Sequence, residues 1–255
     1  MKDCNAWLLC SDVDDTLLGD DDALRELAAV LRACQRPPIL VYNSSRPCAT
    51  LIESLRLHRD LPMPAYLVGA LGTQILDAQS GRWLTDYSDR LRSGWSRAAV
   101  CAVLDPLGFV PHQAQFQTPL KVSYTIPDMG AHRHAVDRLH ASGLRAKTIY
   151  SGGGNLDIIP ARAGKGSAIH YLARRLAILR DRVVVAGDSA NDLDMFVAPY
   201  KGIIVANAEL ALKALNGRTI FYARSGYARG VLEGLRFWNV MPGQCGLPIQ
   251  EKALC

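Results

Sequence analysis

Asp12 and Asp14 stand two residues apart directly behind the apolar run Trp7-Leu8-Leu9-Cys10. A buried strand normally closes in turn residues rather than carboxylates, so this spacing predicts two acids at the carboxyl end of a strand. In an open parallel sheet that end is where ligands bind. If the segment stays extended, side chains two apart share a face and both carboxylates serve one site. Taken alone, the stretch also reads as an Asp-rich turn before a helix that begins near Asp21.

Three further pieces follow in order, each with its own apolar run. Residues 39–42 lead to Asn43-Ser44-Ser45-Arg46, Lys165 sits in Ala163-Gly164-Lys165-Gly166-Ser167, and residues 183–186 lead to Gly187-Asp188-Ser189-Ala190-Asn191-Asp192. This set resembles the four motifs of the haloacid dehalogenase superfamily of phosphotransferases: DxDxT, a Ser or Thr after the second strand, a lysine, and GDxxND. The stretches Gly72-Thr73-Gln74-Ile75, Lys121-Val122-Ser123-Tyr124, Leu156-Asp157-Ile158-Ile159-Pro160 and Gly202-Ile203-Ile204-Val205-Ala206-Asn207-Ala208 are similar to the sucrose-phosphate phosphatase branch. The motifs are specific for the superfamily and less so for the substrate.

The resemblance implies a role for each residue. Asp12 is the nucleophile, dividing phosphate displacement into formation and hydrolysis of an aspartyl phosphate. Asp14 protonates the leaving sugar oxygen and then deprotonates the attacking water. Lys165 balances charge, while Ser44 and the Ser45 amide donate to the transferring group. A phosphate dianion among aspartates needs cations, and oxygen donors without a nearby His or Cys point to Mg²⁺. Its expected ligands are the Asp12 carboxylate, the Asp14 main-chain carbonyl and Asp188, with Asp192 supporting or replacing Asp188 and Asn191 orienting the group.

The superfamily core reads only the phosphate, so the leaving group falls to a cap and to the loop after the third strand. Lys121, Asn155, Thr73 and Gln74 are the candidates there. The expected substrate is sucrose 6-phosphate, released as sucrose and phosphate, in a pathway whose partner is a glycosyltransferase. Two departures bear on that expectation. Asn43 and Ser45 replace the Ala and Gly usual in the branch, and Ser151-Gly152-Gly153-Gly154-Asn155-Leu156-Asp157 lacks a Lys and an Asp of the branch pattern. Mannosylfructose phosphate or another hexose phosphate is therefore the alternative substrate. Other readings are a phosphomutase, a signalling receiver domain, and a non-catalytic sugar-phosphate-binding partner of a glycosyltransferase. A receiver lacks both GDxxND and an insertion.

The chain that must position these residues has 255 residues, 49% of them hydrophobic, and a net charge of +5. Its Lys and Arg are scattered, so neither nucleic acid nor a membrane is the expected partner. No apolar run approaches a membrane span, and Asp3 stands where a secretory signal is basic, so the expected location is the cytoplasm. Seven cysteines without a CxxC pair predict free thiols. The six histidines show no metal-ligand spacing beside acids, and there is no GxSxG elbow.

Apolar periodicity predicts helices over 23–33, 47–57, 88–104, 131–142, 168–179, 208–215 and 228–237, and strands over 39–42, 65–68, 120–126, 146–150, 182–186, 201–206 and 219–223. A hairpin is expected at 74–84. The expected architecture is an α/β, doubly wound parallel sheet with a Rossmann-like core in two segments, 1–82 and 160–240, an inserted α+β cap at 83–159, and an aperiodic tail at 241–255.

Overall fold

The computed structural model describes residues 6–197 and 199–241, and the expected tail lies almost wholly outside them. Strand β1 (Leu8–Ser11) is buried along its length at the centre of a seven-stranded sheet. Beside it lie β2 (Ile39–Asn43), β3 (Tyr66–Gly69) and the edge strand β4 (Gln74–Asp77). On its other side lie β9 (Val183–Gly187), β10 (Lys201–Ile204) and β11 (Ile220–Tyr222). All pairs are parallel except β3 with β4. The chain winds outward from β1 in one direction and from β9 in the other, so the topological switch point lies between those two strands.

Helices cover both faces. α1 (Asp21–Ala33) starts because the Asp20 side chain accepts from the Ala23 amide at 3.0 Å and Asp21 and Asp22 complement the helix dipole. Its Leu24, Leu27 and Leu31 recur at helical spacing and are buried, each contributing about 1.5–3 kcal/mol. α2 (Cys48–Leu57) and α8 (Tyr227–Phe237) share that face, while α6 (Lys165–Leu176) buries Ala168, Ile169 and Leu172 in the core on the opposite face. The helix expected at 208–215 is the single turn α7 (Leu210–Lys213). Among the described residues no helix is long and apolar enough to cross a membrane.

The inserted cap has its own antiparallel sheet in the order β5 (Val110–Pro111), β6 (Val122–Thr125), β8 (Asn155–Pro160), β7 (Ala146–Ser151). Against it pack α4 (Arg97–Leu104) and α5 (Met129–Ala141) through Val100, Leu104 and Leu139. Strand pleating decides which side chains see the core. Val122, Tyr124, Leu156 and Ile158 enter the cap interior, and the alternate residues Lys121, Ser123, Asn155 and Asp157 fall on the other face.

The helix expected at 88–104 is two helices, α3 (Thr85–Arg92) and α4. Gly94 takes a positive φ of 77°, Ser96 caps α4, and the Trp95 indole donates to the Pro119 carbonyl. A continuous helix would forfeit that cap. The short β5 pairing, which the periodicity did not predict, spans two residues and carries no alternation to reveal it. The second arm of the expected hairpin is reduced to a bridge between Leu76 and Trp83.

Gly72 lies where the two crossings between core and cap meet. Its φ is +76°, and a Cβ there would overlap the Gly164 carbonyl. The Tyr87 hydroxyl donates to the Gly72 carbonyl at 2.7 Å. Gly72→Ala is therefore expected to destabilise the protein by at least about 2 kcal/mol in urea unfolding. A loss below about 0.5 kcal/mol would mean that the two backbones separate freely there.

Candidate active site

The register of the central strands assembles the site. Ser11 pairs with Tyr42 on one side and Ala186 on the other, so β1, β2 and β9 end level. Their next residues, Asp12, Asn43-Ser44 and Gly187-Asp188, meet at the switch point. The Asp12 amide donates to the Ala186 carbonyl at 2.9 Å, extending the ladder one residue and fixing Asp12 at the crevice floor. Lys165, the first residue of α6, enters from below and is 1% exposed.

Lys165 Nζ lies 2.6 Å from Asp12 Oδ1 and 2.6 Å from Asp192 Oδ1. Asp192 Oδ2 accepts the Asp188 and Ser189 amides at 3.0 and 3.1 Å, and Thr16 Oγ1 donates to Asp188 Oδ1 at 2.9 Å. Both oxygens of Asp192 are thus engaged. Asp192 holds Lys165 and the Asp188 turn in place, a firmer positioning than its place at the end of GDxxND suggests.

Three carboxylates, from Asp12, Asp188 and Asp192, bring oxygens within 4.8 Å of one another, all buried. Burial raises the Asp12 carboxyl well above the usual carboxylate range, Lys165 opposes this, and Asp192 and Asp188 push further upward. Asp188 is pushed up to about 7, chiefly by burial and then by Asp192. Burial works against the Lys165 charge, but Asp12 and Asp192 outweigh it and the lysine pKa rises. One ammonium therefore serves three acids in a low-dielectric crevice. An all-oxygen donor set with surplus negative charge fits a hard divalent cation, and Asn191 adds a buried Oδ1 with no hydrogen-bond partner.

Above the floor is a cleft of about 370 Å³ between core and cap. Asp14 lies on its wall, half exposed, its Oδ2 accepting from Arg46 Nε at 2.8 Å. Ser44 is buried, and its Oγ accepts the Arg46 amide at 3.1 Å. On the cap side Lys121 Nζ pairs with Asp157 Oδ1 at 3.0 Å and donates to the Ser45 carbonyl at 3.0 Å. Ser123 Oγ donates to the same Asp157 oxygen at 2.5 Å. Asp157 and Lys121 are both nearly fully buried, so the pair ties the cap sheet directly to the loop after β2.

A family model described as sucrose-6F-phosphate phosphohydrolase matches residues 5–239. The chain belongs to this family. It is a phosphoric monoester hydrolase of the haloacid dehalogenase superfamily. It is 33% identical to the mannosylfructose-phosphate phosphatase of Agrobacterium fabrum, over 92% of this chain and 98% of that one. It is 28% identical to sucrose-phosphatase 2 of Nicotiana tabacum over 97% of its own length, and spans 63% of that longer enzyme. The sucrose-phosphatase of Synechocystis, solved with sucrose and phosphate, superposes with a TM-score of 0.85 at 28% identity, covering 91% of this chain and 98% of the other. A sugar phosphatase of haloacid dehalogenase subclass IIB superposes at 0.68 with 12% identity, which shows the shared fold.

Of the residues expected at the site of this sucrose-6F-phosphate phosphohydrolase family member, Asp12, Asp14, Ser45, Lys121, Asn155, Asp188 and Asn191 line one cleft. Ser44, Lys165 and Asp192 lie buried around its floor. Thr73 and Gln74 do not enter it. Thr73 is fully buried and its hydroxyl donates to the Ala70 carbonyl, while Gln74 Oε1 accepts the Cys48 amide at 3.0 Å. Both side chains hold the turn after β3 and border a separate, smaller cavity. Arg46, His112, Phe116, Asp157 and Glu209 also line the cleft. Arg46 and Asp157 stood beside motif residues and alternation could have marked Asp157, but nothing local distinguished His112, Phe116 or Glu209.

Proposed function

We propose that the chain is a Mg²⁺-dependent phosphatase for a fructose-containing disaccharide phosphate, with sucrose 6-phosphate as substrate. The observation that carries this reading is Asp12, held at the carboxyl end of β1 by Lys165 at 2.6 Å, on the floor of a cleft whose roof is polar cap sheet. Asp12 attacks phosphorus, and the bond from phosphorus to the sugar oxygen breaks. The Asp14 carboxyl gives its proton to that oxygen, and sucrose departs. Asp14 then takes a proton from water, the water oxygen attacks the aspartyl phosphate, and the Asp12 carboxylate is restored with release of phosphate. Lys165 neutralises charge that would otherwise repel the incoming phosphate, and the Ser44 hydroxyl and Ser45 amide point donors at its oxygens.

Asp12, the Asp14 carbonyl and Asp188 would hold Mg²⁺, with Asn191 Oδ1 beside them. When bound, the cation neutralises phosphate charge and favours in-line displacement. EDTA is expected to abolish turnover and added Mg²⁺ to restore it, while full turnover in EDTA would remove the metal from this reading.

The cap face of Lys121, Ser123, Asn155 and Asp157 is proposed to read the glycosyl unit, with Phe116 offering an apolar surface to a sugar ring. Supply of a phosphorylated disaccharide calls for a glycosyltransferase upstream, as the partner in sequence if not in contact. Mannosylfructose phosphate is the second reading, favoured by 33% identity across nearly all of the Agrobacterium enzyme and by the glycines of the 151–155 turn. Phosphate release with Mg²⁺ is compared for sucrose 6-phosphate, mannosylfructose phosphate, glucose 6-phosphate and fructose 6-phosphate. A kcat/KM preference of at least about tenfold, or about 1.4 kcal/mol, for sucrose 6-phosphate is expected. A larger value for mannosylfructose phosphate selects the second reading, and a flat profile leaves a general sugar phosphatase.

A further inference from the structure

A second cleft, of about 550 Å³, runs along α6 between that helix and α3, and it shares no lining residue with the catalytic cleft. Arginines converge on it from three elements: Arg90 on α3, Arg162 on the crossing from β8 to α6, and Arg174 and Arg175 in the last turn of α6. Asp86 is the one acid among its lining residues, and it already accepts from the Tyr171 hydroxyl at 2.6 Å with Arg175 at 4.0 Å. Among the described residues Arg90, Arg162 and Arg174 make no salt bridge.

Favourable interaction with helix dipoles accounts for Arg90, Arg174 and Arg175 one at a time, at about 0.3–1 kcal/mol each. It does not account for their convergence with Arg162 on one concavity, where like charges raise each other's energy. We propose that this cleft binds a small molecule carrying two or more phosphate groups. Guanidinium forks match phosphate oxygens in pairs, and the volume lies within the range of small-molecule sites. Charge selects more than one phosphate: four guanidinium groups against the single Asp86 carboxylate leave three positive charges on one concavity. One phosphate dianion does not balance that charge, whereas an oligophosphate chain does.

Calorimetric titration of the intact chain in EDTA with tripolyphosphate, and separately with orthophosphate, tests the assignment. Tripolyphosphate is expected to bind at one site, at least about tenfold more tightly than orthophosphate. Arg90→Gln/Arg174→Gln is expected to weaken it at least about tenfold, and Arg162→Gln to weaken it less. Asp12→Asn and the remote Arg25→Gln are expected to leave it unchanged. The four arginines are exposed, so circular dichroism should show unaltered folding. Absence of tripolyphosphate binding, equal binding of orthophosphate, unchanged binding in the double variant, or loss of binding in Asp12→Asn would each overturn the proposal.

Discussion

Asp12→Asn is expected to lower kcat by at least about 10⁴-fold, because an amide is a poor nucleophile and no other group lies where the phosphoryl must be taken. The reaction is among the slowest known without a catalyst, so loss of the covalent step leaves only positioning and electrostatics. Folding should survive. Asn matches the carboxylate in shape, can still accept from Lys165 Nζ, and removes one of three mutually repelling acids. Single-turnover phosphate release, with binding of the unreacted sugar phosphate measured by calorimetry, separates chemistry from affinity. Turnover within about tenfold of the parent would end the assignment of Asp12 as nucleophile.

Lys165→Met is expected to damage both activity and stability, which distinguishes it from Asp12→Asn. Methionine fills a similar volume, so the loss is that of a charge only 2.6 Å from each of two buried carboxylates. Breaking such a buried pair from one side costs about 3–5 kcal/mol, because the acids remain without a cation. Loss of a preorganised positive group at the phosphoryl site is expected to lower kcat by about 10²–10³-fold as well. Adding Asp192→Asn to Lys165→Met should recover part of the stability, read from the urea midpoint, without recovering turnover. Recovery of both together would mean that Lys165 acts only as structural filler, and a midpoint unchanged in Lys165→Met would mean that the acids find another cation.

The sequence by itself determined the parts of this protein that depend on local order. An apolar run followed by Asp12, another by Asn43-Ser44 and a third by Gly187-Asp188 are strand ends, and a parallel sheet brings strand ends level whatever the helices between them do. Lys165 was legible only through its place in the motif set, since the periodicity began the helix at Ala168 and the structure begins it at Lys165. What only the tertiary structure decided concerns groups whose partners lie far along the chain. Asp14 meets Arg46, Lys121 reaches Asp157 and the Ser45 carbonyl, and Asp192 divides its oxygens between Lys165 and two amides. Thr73 and Gln74 illustrate the converse: they stand in the right loop, but main-chain groups nearby take their hydrogen bonds. Periodicity fixes which face a side chain takes on its own element. It does not fix how the cap sheet settles over the core, and that placement set the walls of the catalytic cleft.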